Sequence, residues 1–102
     1  MQWEVVVRPV VCYERTNGFL AAPRAFTRPG AVVEVQGDQV VVLDARGREV
    51  RRFMVGPRSV LVKDPDHGLI WMFQGPPGVV FKGVHAEGDA AVFTFGKEGE
   101  AA

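Results

Sequence analysis

The chain has 102 residues, of which 47% are hydrophobic and 24% charged, and its twelve basic and twelve acidic residues cancel. This length suits one domain with a radius of gyration of about 13 Å and leaves no room for a second core. The neutral balance excludes a chain that binds nucleic acid or an anionic membrane through its overall charge.

Cysteine usage and the N-terminal residues predict a soluble, unprocessed protein of the cytoplasm. Cys12 is the only cysteine, so no disulfide forms within the chain, which is typical of a reducing compartment. The first residues lack the basic and then apolar pattern of a signal peptide, and no apolar run approaches the ~20 residues of a membrane helix.

Residues 3–14 predict a strand with one buried face, because Trp3, Val5 and Val7 alternate with Glu4 and its neighbours. Pro9 interrupts this pattern. Since proline cannot donate a hydrogen bond to a sheet, we expect an edge strand or a strand bent at this position.

Asn17-Gly18 is a strong hairpin signal and predicts a turn into a short strand over 19–22. The following stretch contains Pro23 and Pro29 on either side of Phe26. We expect a loop there that crosses one end of the fold, with Phe26 as its plug.

The central stretch, residues 31–62, predicts a four-stranded antiparallel meander. Gly37-Asp38 supplies the positive φ of a tight hairpin, and residues 44–47 begin with Asp and end with Gly, as a type I turn followed by a left-handed residue requires. At Gly56-Pro57 the chain has to leave the sheet, because Pro57 has no amide hydrogen.

Two details of this meander are predicted from its apolar residues. Residues 40–43 are apolar without alternation, so both faces of that strand are expected to be covered. Val50 and Phe53 have opposite parity, and if both face the core, a β-bulge near Arg51-Arg52 is needed, with both guanidinium groups outward. The alternative is that only one of Val50 and Phe53 faces the core.

The C-terminal part continues the alternation of turns and strands. Residues 64–68 form a turn, and residues 69–73 are the most apolar run of the chain, either the central core strand or a strand that buries one face against another chain. Residues 75–78 predict a stiff loop, residues 79–84 and 90–95 a last hairpin, and residues 96–102 a frayed tail.

Turn signals every eight to twelve residues and no amphipathic helical window predict an all-β fold. We expect one domain over 1–102, a small antiparallel barrel or sandwich of about seven to nine short strands without substantial helix. The segment PGAVVEVQGDQVVVLDARG resembles an SH3-like barrel, and the meander also resembles the first sheet of a pleckstrin-homology-like domain, although nothing after Phe95 is long enough for that domain's C-terminal helix.

Residue types that carry metal or catalytic chemistry are few. Asp64, Asp66 and His67 lie within four residues, but a tight turn explains them, and they lack the paired close spacing of zinc ligands. Ser59 has no flanking glycines of a nucleophile elbow, and Cys12 lies in an apolar strand. The sequence therefore predicts no cofactor and no metal, and an enzyme with an unrecognised site is the third hypothesis.

A nucleic-acid-binding small barrel is the second hypothesis. Residues 44–63 carry six basic and two acidic residues, whereas residues 64–102 carry two basic and six acidic ones. Small barrels bind single strands by combining cations with aromatic platforms, and Phe53 lies among these arginines. The hairpin arginines are Arg46, Arg48, Arg51, Arg52 and Arg58.

Protein contact is the leading hypothesis. The chain has more bulky apolar side chains than one thin core needs, and an aromatic run followed by a rigid loop is typical of an interface centre. We expect a non-enzymatic binding or assembly module that self-associates or joins a larger particle through residues 69–79. The predicted contact residues are Trp71, Met72, Phe73, Pro76 and Pro77.

Overall fold

The structure is a computed structural model that describes residues 1–21, 23–24 and 31–99. Within these residues there are ten strands and no helix. They are β1 (Gln2–Val7), β2 (Cys12–Thr16), β3 (Phe19–Leu20), β4 (Val32–Gln36), β5 (Gln39–Leu43), β6 (Glu49–Gly56), β7 (Ser59–Asp64), β8 (Gly68–Gln74), β9 (Val79–Glu87) and β10 (Ala90–Lys97).

The strands form two five-stranded antiparallel sheets that pack face to face as a sandwich. The first sheet has the order β3-β2-β1-β10-β9 and the second the order β4-β5-β6-β7-β8. The described strands do not close into a barrel, so the all-β prediction is confirmed and the sandwich is the form it takes. The Cα radius of gyration is 13.0 Å, and no helix in the described ranges is long and apolar enough to span a bilayer.

The first predicted strand is two strands in the structure, which raises the number above the expected seven to nine. Pro9 lies in a reversal that is closed by the Arg8 amide donating to the Val11 carbonyl at 2.9 Å. β1 then pairs with both β2 and β10, so it is an interior strand of the first sheet. The expectation of an edge or bent strand was wrong, because proline ended the strand instead of bending it.

The central meander is confirmed as β4 to β7, each strand paired with the next. Gly37 and Gly47 have φ values of 66° and 78°, as their predicted turns require. Val40 and Val42 lie in the core, and Val41 on the other face is only 1% exposed. Both faces of β5 are therefore covered, as predicted.

The β-bulge of β6 is confirmed, one residue earlier than predicted. Val42 pairs with Arg51 and Leu43 with Glu49, so Val50 is the extra residue. Val50 packs against the core that contains Phe53. Arg51 shares the inner face with Val42, at the end of the sheet, so the prediction that both guanidinium groups point outward was wrong for Arg51.

The last strand extends into the predicted tail. β10 runs through Lys97, and Gly96 pairs with Gln2 on one side and Val80 on the other. The fraying of residues 96–102 stays a prediction. The predicted plug Phe26 and the following Pro29 lie outside the described residues, as do residues 100–102.

The two sheets bury one continuous core in which Trp3 is the largest side chain. Its ring is 1% exposed and lies 4.8 Å from the ring of Phe95, and its Nε1 donates to Glu14 Oε1 at 2.9 Å. Gly75, in the segment that follows β8, is so close that an added Cβ would lie 2.8 Å from the Trp3 ring. Only glycine leaves room for the indole at this contact.

We expect Gly75→Ala to lower the free energy of unfolding by about 1 to 3 kcal/mol, because the new methyl overlaps a buried ring that has no free space to enter. Urea denaturation measures this change. Gly96→Ala is the matched control: the nearest atom to its new Cβ is the flexible Lys82 Cε at 3.4 Å, so a change within about 0.5 kcal/mol is expected. Equal costs at the two positions would contradict the proposed packing.

Cys12 gives a second test of the core. Its side chain is 2% exposed, and burial raises the pKa of the thiol to about 12, although Arg24 acts in the opposite direction. Because the thiolate is the reactive form, we expect native Cys12 to react with Ellman's reagent at pH 8 at least about a hundredfold more slowly than in urea. A native rate close to the rate in urea would contradict this burial.

Candidate protein-contact surface

A row of three apolar side chains crosses the outer face of the second sheet. Met54 on β6 pairs with Leu61 on β7, and Leu61 pairs with Met72 on β8. Paired residues of antiparallel strands lie on the same face. Phe53, Val60 and Phe73, which alternate with these three, are in the core. The row therefore faces away from the first sheet.

Two further apolar side chains lie beside this row on β8. Leu69 pairs with the exposed Lys63 and is itself 56% exposed, and Ile70 is 37% exposed. Met72 is 46% exposed. We name Met54, Leu61, Leu69, Ile70 and Met72 together the apolar stripe; nothing in the described structure covers its β8 end.

The outer face of the first sheet has a different chemistry. Glu4 and Arg15 pair at 2.7 Å, and Arg15 also pairs with Glu87 at 3.2 Å. Arg8 donates to the Tyr13 hydroxyl at 3.2 Å. Val6 and Val92 lie beneath this layer and are fully buried. Ion pairs and an aromatic ring thus cover Val6 and Val92, whereas Leu20 and Val80 of the same sheet are 64% and 38% exposed. Among the described residues, no such layer lies over the β8 end of the apolar stripe.

The structure separates the five predicted contact residues. Met72 and Pro77 are exposed, and Pro76 is half-buried. Trp71 is half-buried and packs against the core, with the Arg24 guanidinium 3.7 Å from its ring centre, and Phe73 is 4% exposed in the core. Of Trp71, Met72 and Phe73, only Met72 is exposed, at 46%.

Sequence reasoning missed Met54 and Leu61 as surface residues. The signal was parity: each lies between two residues that face the core, so in a regular strand each has to point outward. Both belong to apolar runs, and without the strand pairing nothing in the sequence connects them to Met72.

Among the described strands, β8 lies at the edge of the second sheet, and one side of its backbone has no strand partner there. The other edge strands of more than two residues contain charged side chains: Glu34 on β4, and Lys82 and Glu87 on β9. β8 contains none. Charged residues on edge strands ordinarily prevent strand pairing between molecules, and β8 lacks this protection.

The five hairpin arginines do not converge on one surface. Arg48 pairs with Asp44 at 3.4 Å, Arg51 with Asp64 at 2.6 Å and Arg52 with Glu49 at 2.6 Å. Arg46 lies in the turn before β6 and Arg58 in the turn after it, separated by about 26 Å of extended chain. The nucleic-acid hypothesis stays a prediction, but three of its five cations already have carboxylate partners.

The turn at residues 64–67 is held by one carboxylate. Asp64 Oδ1 accepts the Asp66 amide at 2.8 Å and lies 3.0 Å from His67 Nδ1. Among the described residues, no group of three or more His, Cys, Asp or Glu side chains is arranged to hold a metal ion. Next to the turn, an open polar depression of about 320 Å³ is lined by Asp44, Arg48, Glu49, Val50, Arg51, Asp64, Pro65 and Asp66.

The two candidate nucleophiles are both inaccessible. Cys12 and Ser59 are each 2% exposed. Ser59 lies at the start of β7, where its Oγ would be 2.6 Å from a Cβ at Gly56.

Comparison of the chain with protein-family models, curated proteins and solved structures finds no match. The functional argument therefore depends on the geometry described above.

The aspartates of the two turns predict a pH dependence of stability. Hydrogen bonds from the Asp66 amide and the His67 ring, with the charge of Arg51, lower the pKa of Asp64, and the amides of Arg48 and Arg46 lower the pKa of Asp44. A lowered folded-state pKa stabilises the fold above the unfolded pKa of about 4 and loses this contribution as pH falls through the folded pKa.

We therefore expect the free energy of unfolding to fall below about pH 4. Asp64→Asn should be less stable than the wild type at pH 7, and the difference should shrink as the pH falls through the lowered folded-state pKa of Asp64 and the wild-type carboxyl takes up its proton. Urea denaturation at several pH values measures both curves, with Asp44→Asn as a second variant. A difference that stays constant from pH 7 to pH 2 would contradict the role of the ionised carboxylate.

Proposed function

We propose that the protein is a non-enzymatic binding module that acts by protein–protein contact, as an oligomer or as a subunit of a larger assembly. The contact surface is the apolar stripe together with the free edge of β8. This proposal moves the centre of the predicted contact from Trp71 and Phe73 to Met72 and its cross-strand neighbours, because those two aromatic residues pack inward.

The difference between the two outer faces supports this proposal most strongly. A protein that needs only to be soluble has the same reason to cover both faces with charge, and ion pairs cover the centre of the first sheet. On the second sheet, the half-buried Met54 and Leu61 lead to the exposed Met72, Ile70 and Leu69 at the edge. Neighbouring exposed apolar side chains of this kind mark interaction sites in monomeric folds.

The composition of the stripe also suits a protein partner. Methionine is unbranched and polarizable, so Met54 and Met72 adapt to the shape of a partner without a strained rotamer. Lys63 and Arg52 flank the stripe on the outer face and provide a polar rim. An apolar centre with a polar rim is the usual anatomy of a protein interface.

Met72→Asp tests the proposal, with Val80→Asp as the matched control. Met72 and Val80 are exposed apolar residues on edge strands of different sheets, 46% and 38% exposed. We expect the wild type to sediment as a species heavier than the 11.2 kDa chain, Met72→Asp to sediment at the chain mass, and Val80→Asp to behave as the wild type.

A photo-crosslinking amino acid tests whether the contact surface binds a different protein. Placed at position 72 in source-cell extract, it should give a discrete adduct whose protein component is identified by mass spectrometry; placed at position 80, it should not. A wild-type monomer at millimolar concentration, together with no adduct specific to position 72, would overturn the proposed function.

A further inference from the structure

We propose that the partner of the β8 edge is a second copy of this chain, paired antiparallel so that Arg58 of each copy meets the 64–67 turn of the other. The inference rests on the proposed function, which assigns β8 to a contact. It adds the identity of the partner, the direction of the pairing and the residues that fix this direction.

The two ends of β8 differ in their exposed charges. At its start, the turn from β7 contains Asp64, which pairs with Arg51, and Asp66, and Lys63 precedes the turn. At its end, Arg58 is attached directly to the strand, because the Arg58 carbonyl accepts the Gly75 amide at 2.8 Å and the Gln74 side-chain amide at 3.3 Å. The exposed carboxylate of Asp66 at one end and the guanidinium of Arg58 at the other are complementary to those of a second strand only when it runs in the opposite direction.

The charged groups at the two ends are available for this pairing. Asp64 is already occupied by its own turn and by Arg51. The carboxylate of Asp66 and the guanidinium of Arg58 are on exposed residues, and neither makes a hydrogen bond or ion pair within the described ranges. Antiparallel pairing brings each of them close to its opposite charge, once at each end of the joined strands.

The distances allow this contact. Arg58 lies in the turn between β6 and β7, and the corresponding turn of the second copy lies between its β7 and β8. With strands about 4.8 Å apart, three strand spacings separate the two turns, or about 14 Å, so an arginine and an aspartate meet only when both side chains are extended toward each other. Parallel pairing would instead place Arg58 beside Arg58 and Asp66 beside Asp66.

Arg58 has a backbone conformation that is unfavourable for arginine. Its φ is 50°, and it follows Pro57 at the turn position that ordinarily takes glycine or asparagine. An arginine at this position has a conformational cost that a glycine would avoid. What arginine adds in return is its guanidinium side chain. A contact outside the single chain accounts for it.

β8 has one β-bulge, at Ile70 between the pairs Val62–Trp71 and Lys63–Leu69, and no charge along its length that would oppose self-pairing. β8 has no charged side chain, so antiparallel pairing brings no like charges together along its length. Trp71 and Phe73 are held by the core, and the apolar stripe continues from Met72 toward the second copy. The joined molecule would have one ten-stranded sheet across both copies.

Exchange of the two charges tests the inference. Sedimentation equilibrium gives the dimer dissociation constant for the wild type, Arg58→Asp, Asp66→Arg and the double variant. Because each contact occurs twice, we expect each single variant to weaken the dimer at least about tenfold, and the double variant to return to within about threefold of the wild type. Arg46→Asp changes the net charge equally, three strands from the edge, and should leave the constant unchanged.

Arg58→Gly separates an effect on the stability of the fold from an effect on dimer formation. It removes the guanidinium and suits the positive φ, so the unfolding midpoint should hold or rise while the dimer weakens as in Arg58→Asp. A dimer that Met72→Asp dissociates but the charge exchange does not restore would overturn the antiparallel arrangement and leave the proposed function standing. A chain that is monomeric, and whose position 72 crosslinks only to a different protein, would overturn the second copy as the partner.

Discussion

The contact between the Trp3 ring and the backbone of Gly75 ties the two sheets together at the end of β8. Trp3 belongs to an interior strand of the first sheet, and Gly75 follows the edge strand of the second. A buried tryptophan removes a large apolar area from water, and its Nε1 keeps a hydrogen bond with Glu14. The end of the edge strand is thereby fixed on a rigid support. Everything proposed for β8 depends on this support, because a frayed edge has no defined surface to offer.

Strand pairing determines which apolar residues remain for contact. In the second sheet, Val60, Val62 and Phe73 complete the core, and the residues between them have to point away from it. The sequence makes those intervening residues Leu61 and Met72 instead of lysine or glutamate. In the first sheet the corresponding outward positions hold Glu4 and Arg15, which pair with each other. The same alternation thus places an ion pair over the centre of one face and apolar side chains at the β8 edge of the other.

The sequence predicted the local features well, because their causes are local. Gly37, Gly47 and the Asn17-Gly18 pair adopt the positive φ values that their turns need, whatever the rest of the chain does. The order of strands in each sheet depends on distant pairing, and no local signal placed β1 between β2 and β10. The bulge was predicted from parity but displaced by one residue, since parity alone does not say which of two neighbours is unpaired. The stripe was only partly predicted, because Met54 and Leu61 become its members through register.

A neutral, apolar edge strand next to an exposed apolar face is an aggregation hazard unless a specific partner occupies it. The alternatives open to this fold are visible on its own surface: Glu34 on β4 and Lys82 on β9 show how the same chain protects its other edges. Had β8 carried one lysine at an outward position, the edge would be blocked at little cost to the core. Instead, exposed charge lies beyond the two ends of the strand, with Asp66 at one end and Arg58 at the other. The proposed antiparallel pair would use these two residues to favour one direction, as a closed two-fold assembly does with a self-complementary surface.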